Sequence, residues 1–159
     1  MSLNHYTQLL YYIKQLADSD PLVNKVTQGN VDQIDFNQMN LTPLVHINLS
    51  DALFTNGSTV VFNGTITALD LPNDNNEIND DDFFNNNNDV DIMNETLAIV
   101  NRIWSRMHSD FEKENMVAEE NAPVTFVEGT GQNGLKGCEV SFRVEMPNNT
   151  LNLCQYPIT

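Results

Sequence analysis

The stretch GCEVSFRVEMP, residues 137–147, alternates in polarity from end to end. Cys138, Val140, Phe142, Val144 and Met146 fall on one side. Glu139, Ser141, Arg143 and Glu145 fall on the other. Successive strand residues point to opposite faces of a sheet. This pattern therefore dictates a strand with one face covered and one face wet or against a partner. The preceding PVTFVEG, residues 123–129, supplies its hairpin mate.

A second hairpin is written earlier in the chain. TPLVHINLS, residues 42–50, sets Val45, Ile47 and Leu49 against His46 and Asn48. STVVFNGTITALDL, residues 58–71, gathers Val60, Phe62, Ile66 and Ala68 on one face, with Gly64 as a candidate bulge. DALFTNG, residues 51–57, reads as the link between them.

Two segments carry helical spacing. In residues 2–18, Leu3, Tyr6, Leu9, Leu10, Ile13, Leu16 and Ala17 collect on one face, and Pro21 stops the helix. In residues 89–110, Met93, Leu97, Val100, Trp104 and Met107 form a stripe that Ile92, Ile99 and Ile103 widen. Asp89 and Asp91 suit its N-terminus, and Arg102, Arg106 and His108 suit its C-terminal end. Residues 22–42 read as an ordered connector. The order helix, hairpin, helix, hairpin predicts one α+β domain over 1–159. Its expected core is an antiparallel-rich, four-stranded sheet with both helices on one face.

Charge narrows the function classes. The chain has 7 Lys and Arg against 22 Asp and Glu, a formal charge of −15. Phosphate backbones are bound by clustered cations, so tight nucleic-acid binding is not expected. An anionic membrane surface is disfavoured for the same reason. No run of about 20 apolar residues suggests a bilayer span. MSLNHYTQLLYYIKQL lacks the basic start and cleavage site of a signal peptide. The N-x-[ST] triplets are then chance matches in an Asn-rich chain. Cys138 and Cys154 are expected as reduced thiols.

The motifs that could carry chemistry are weak. GTGQNG, residues 129–134, matches G-x-G-x-x-G. A dinucleotide site needs a helix after the glycines, whereas here another strand is expected, so a hairpin tip is the better reading. His5, His46 and His108 are spread too widely to suggest a zinc site. None of the serines lies in a nucleophile elbow. Glu119 and Glu120 fall in a polar link. No catalytic residue, cofactor site or metal site is assigned.

The most irregular segment is the loop 71–91, containing NDDDFFNNNN. Asp80, Asp81 and Asp82 offer oxygen ligands, but the spacing of a calcium loop fails. Ile78, Phe83 and Phe84 are too apolar for a plain linker. They are the candidate subunit contacts, with Asp80, Asp81 and Asp82 as a solvated or lumen-facing acidic group.

Taken together, the N-terminal helix, DPLVNKVTQGNVDQIDFNQMNLTPLVHINLSDA, VVFNGTITALDL, NETLAIVNRIWSRM and GCEVSFRVEMPNN resemble small structural proteins of tailed bacteriophages. The chain is similar to tail-terminator-like ring proteins of the neck, including those of crAss-like phages. The resemblance implies a tail-terminator-like sandwich that assembles into a cyclic homo-oligomer within the virion, made in the host cytoplasm. It further implies neighbouring neck, portal-side or tail proteins as partners, passing DNA that is not specifically bound, and no active site. A rival expectation is an acidic, DNA-mimicking binding module that places Asp80, Asp81 and Asp82 on a basic host protein.

Overall fold

A computed structural model describes residues 5–30, 41–56, 58–72, 88–113, 117–130 and 134–148. The elements are α1 (His5–Asp18), β1 (Lys25–Gln28), β2 (Leu44–Thr55), β3 (Thr59–Asp70), α2 (Asp89–Lys113), β4 (Val117–Ala118), β5 (Val124–Thr130) and β6 (Leu135–Pro147).

The strands form one sheet in the order β1-β2-β3-β6-β4, with β5 also paired to β6. β2, β3 and β6 are antiparallel neighbours over long stretches. β1 runs parallel to β2. The sheet is therefore mixed and six-stranded, which corrects the four-stranded antiparallel expectation. The extra strands come from segments too short to show a period of two. Lys25–Gln28 has four residues and lay inside the presumed connector, and Val117–Ala118 has two.

The alternation of β6 holds from Cys138 to Met146, whereas Leu135 is buried on the other face beside Leu44 and Leu69. Cys138, Val140, Phe142, Val144 and Met146 are all buried. In register with them are Ala68, Ile66, Gly64, Phe62 and Val60 of β3. Val45 and Ile47 of β2 continue the same face. Leu9, Ile13 and Ala17 of α1 and Ile99, Val100, Ile103, Met107 and Phe111 of α2 pack on it. Both helices thus cover one face, as the pattern required.

The bulge is displaced from its expected strand. The β2–β3 register shifts between Leu49 and Asp51, so Ser50 on β2 is the extra residue, opposite Gly64 and Asn63. Gly64 has a different task. A side chain there would lie 2.6 Å from the Asn48 carbonyl oxygen and 2.8 Å from the Phe142 ring. The missing Cβ lets Phe142 lie flat across β3.

The second helix is rotated from the stripe read in sequence. Its buried line is Ile92, Thr96, Ile99, Ile103 and Met107, joined by Val100 and Phe111. Met93 and Trp104 are half-buried, and Leu97 is exposed. Thr96 can occupy the centre because its hydroxyl donates to the Ile92 carbonyl at 2.6 Å. In α1, Tyr6 is exposed rather than part of the core.

Polar contacts lock the helices in place. Tyr12 of α1 stacks on Phe111 of α2, with centroids 5.7 Å apart, and its hydroxyl donates to Asp110 at 2.7 Å. Lys136 of β6 pairs with Asp89 at the first turn of α2, 2.5 Å away.

Candidate functional site

The outer flank of α2 does not close onto the sheet. β5 and the link between β4 and β5 stand away from it, leaving a groove of about 760 Å³. Leu97, Val100 and Trp104 form the helix wall, and Ala122, Val124 and Val140 line the opposite side. This explains the rotated stripe: Leu97 and Trp104 belong to a second, open surface of the helix. Among the lining residues Glu120 alone is charged, with Asn94, Asn101 and Asn121 as the amides. The Trp104 ring lies 5.3 Å from that of His108. Beside the groove, Phe126 is 59% exposed on the helix-facing side of β5, in register with Cys138.

A second apolar surface lies at the β2–β3 hairpin. DALFT is strand rather than link, because β2 runs on to Thr55 and pairs up to the turn. The turn is tight. Asn56 adopts a left-handed φ of 48°, which asparagine tolerates, and the Ser58 amide donates to the Thr55 carbonyl at 3.0 Å. The Thr55 and Thr59 hydroxyls bond across the hairpin. Phe54 is 68% exposed and Leu53 is 53% exposed. Leu53 pairs with Val61 and Phe54 with Val60, so the two side chains leave opposite faces of the hairpin.

The remaining sequence candidates separate clearly. Ile78, Asp80, Asp81, Asp82, Phe83 and Phe84 lie outside the described residues, as does Cys154. His46 is buried, held between the Thr27 hydroxyl at 2.8 Å and the Gly29 carbonyl at 2.7 Å. Burial pushes its pKa down, against the opposing pull of the Gly29 carbonyl and of Glu139. Its ring fastens β1 to β2. His108 lies 3.9 Å from Glu112. Cys138 is buried, its sulfur 3.4 Å from the Thr96 hydroxyl, and burial raises its pKa.

In GTGQNG, Gly129 and Gly134 have φ of 70° and 62°, and Thr130 pairs with Leu135. The glycines therefore connect two strands. Glu119 pairs with Arg143 at 3.7 Å. No group of three or more His, Cys, Asp or Glu able to hold a metal occurs among the described residues.

Sequence reasoning missed Leu53, Phe54 and Phe126 as contact candidates. For Leu53 and Phe54 the available signal was an apolar pair one residue before an Asn-Gly turn, where polar residues are usual. No helix among the described residues is long and apolar enough to cross a membrane. Neither a protein-family model nor a curated protein sequence matches the chain.

Proposed function

We propose that the protein is a structural subunit of a bacteriophage particle, with a tail-terminator-like sandwich fold. It assembles side to side into a ring at the neck or head–tail junction. The observation that carries this reading is the open sheet. Among the described residues β1 has no strand on its outer side, and β5 has none on its own. Open edges invite pairing with another chain, and soluble proteins usually blunt or cover them. A side-to-side assembly covers both edges at once when one subunit's first edge meets the next subunit's last.

Two further features support the reading. The order helix, hairpin, helix, hairpin, with both helices on one sheet face, accords with the resemblance in the sequence. A charge of −15 per subunit would give a conduit wall that repels passing DNA rather than holding it.

Mass photometry of the purified protein, paired with negative-stain imaging, tests the proposal. The expected result is a closed species of one fixed multiple, also recovered from disassembled particles. A protein that stays monomeric at high concentration and is missing from particle-derived material would remove the reading.

A further inference from the structure

The hairpin tip and the groove are complementary surfaces of one molecule that cannot meet within it. The tip lies where Thr59 pairs with Pro147, at the far end of β6. The groove lies where Val124 pairs with Val140, nearer the start of that strand. β2 and β5 are separated by β3 and β6. At ordinary strand spacing the two surfaces stand about 14 Å apart across the sheet and about 20 Å apart along it.

We propose that the tip of one copy, led by Phe54 and Leu53, seats in the groove of the next copy against Trp104. The inference rests on the ring reading and names the contact that would build the ring.

Charge selects a second copy as the occupant. Two molecules of −15 repel, so they must touch where charge is missing. Residues 52–69 contain no Asp, Glu, Lys or Arg, although these types make up 18% of the chain. Segments 96–101 and 121–127, which supply much of the groove, contain none either. Glu120 is the single carboxylate in the lining. The groove and the Phe54 side of the tip are thus surfaces poor in like charge, whereas the Leu53 side shares its sheet face with Asp51 and Glu145. A strongly basic partner would have little to pair with at the groove or on the Phe54 side.

Shape points the same way. Phe54 and Leu53 leave opposite faces of the hairpin, so the tip presents one large exposed apolar side chain on each side. The groove has two apolar walls, one from α2 and one from the β4–β5 link. Because the patches do not coincide, the contact is head to tail. Repeated with a constant rotation, it closes into a ring.

The sole tryptophan sits in the groove and supplies a readout. In the full-length wild type, Trp104 emission shifts to shorter wavelength as the protein is concentrated, in step with assembly. In Phe54→Ser, whose side chain is exposed, the shift is lost and assembly needs at least tenfold more protein.

Cross-linking checks the pairing. Phe54→Cys and Val124→Cys proteins, each in a Cys154→Ser background, are mixed and then concentrated under mild oxidation. The mixture forms covalent dimers at least tenfold faster than either protein alone. Equal dimer formation by Phe54→Cys alone would mean a like-to-like contact and would overturn the proposal. So would wild-type rings whose Phe54→Ser counterpart assembles normally, with the ring reading left standing. A wild type that is monomeric throughout would remove both.

Discussion

Arg102 grips Asp20 through two hydrogen bonds, Nε to Oδ2 at 2.7 Å and an η-nitrogen to Oδ1 at 3.0 Å. Asp20 is 7% exposed and lies in the turn after α1, whereas Arg102 is on α2. The Leu22 amide also donates to the same carboxylate, at 3.0 Å. The clasp therefore fixes the exit of the first helix against the second.

Removing Arg102 leaves a nearly buried carboxylate with only a backbone partner. Arg102→Ala should destabilise the fold by about 1–3 kcal/mol, below the range for fully buried pairs because the arginine itself is half-exposed. Urea unfolding of the two proteins at pH 7 measures it. Burial alone would raise the Asp20 pKa, but the Arg102 hydrogen bond, the Leu22 amide and the guanidinium charge outweigh it and hold it below the usual 3.8. The stabilisation is thus present above pH 3.8 and is lost as pH falls through the lower, folded value. Asp20→Asn should flatten stability against pH in that acid range.

His46 gives a second pH effect in a different window. Burial lowers its pKa from 6.5, so the folded protein resists protonation while the unfolded chain accepts it. Stability should be full above pH 6.5 and decline as pH falls from there toward the folded value. His46→Gln should lose that slope while retaining the slope due to Asp20. Thermal melts from pH 7.5 down to 2.5, which cross both windows, distinguish the two variants.

Gly64 tests the packing of Phe142. Gly64→Ala should cost about 1–3 kcal/mol, because the new methyl meets both a ring and a backbone carbonyl. Adding Phe142→Leu should recover only part of the loss, since the Asn48 carbonyl cannot retreat with the side chain. A double variant restored to wild-type stability would contradict this assignment.

Phe54 and Phe142 should respond in opposite ways to truncation. Phe142→Ala removes a buried ring and should cost about 3–5 kcal/mol of folding stability. Phe54→Ser should change stability by no more than about 0.5 kcal/mol, as for an exposed site, yet reduce assembly. Unfolding curves at a dilute, monomeric concentration check the first half, and mass photometry checks the second.

The parts of the fold legible in the sequence are those with a sustained period. Strand β6 alternates from Cys138 onward, and every apolar residue from Cys138 to Met146 is buried. Helix α2 was legible as a helix but not in its rotation. Apolar residues cover more than half of its circumference, so periodicity could not separate Ile92 and Thr96, which face the core, from Leu97, which does not. β1 was hidden because four residues joined in parallel to a distant strand leave no local signature. The contact surface was hardest to read. Leu53 and Phe54 read in sequence as part of a link, and only the strand running on to Thr55 shows them as an exposed pair at the sheet's end. Ile78, Phe83 and Phe84, the contacts expected from sequence, lie outside the described residues.

The pairing of β3 with β6 also sets an order of events during synthesis. Thr59 meets Pro147, so the central seam of the sheet joins segments far apart in the chain. The β2–β3 hairpin can form as soon as Asp70 leaves the ribosome. Its partner strand is finished roughly 80 residues later, about 4–16 s at ordinary translation rates. Through that interval β3 presents a long, β-branched edge with no mate. Residues 71–134 emerge meanwhile; α1 is already out to cover part of the apolar face, and α2 within them is the next element able to shield the rest. The helix that packs the finished core thus also serves as a temporary cover for the nascent chain.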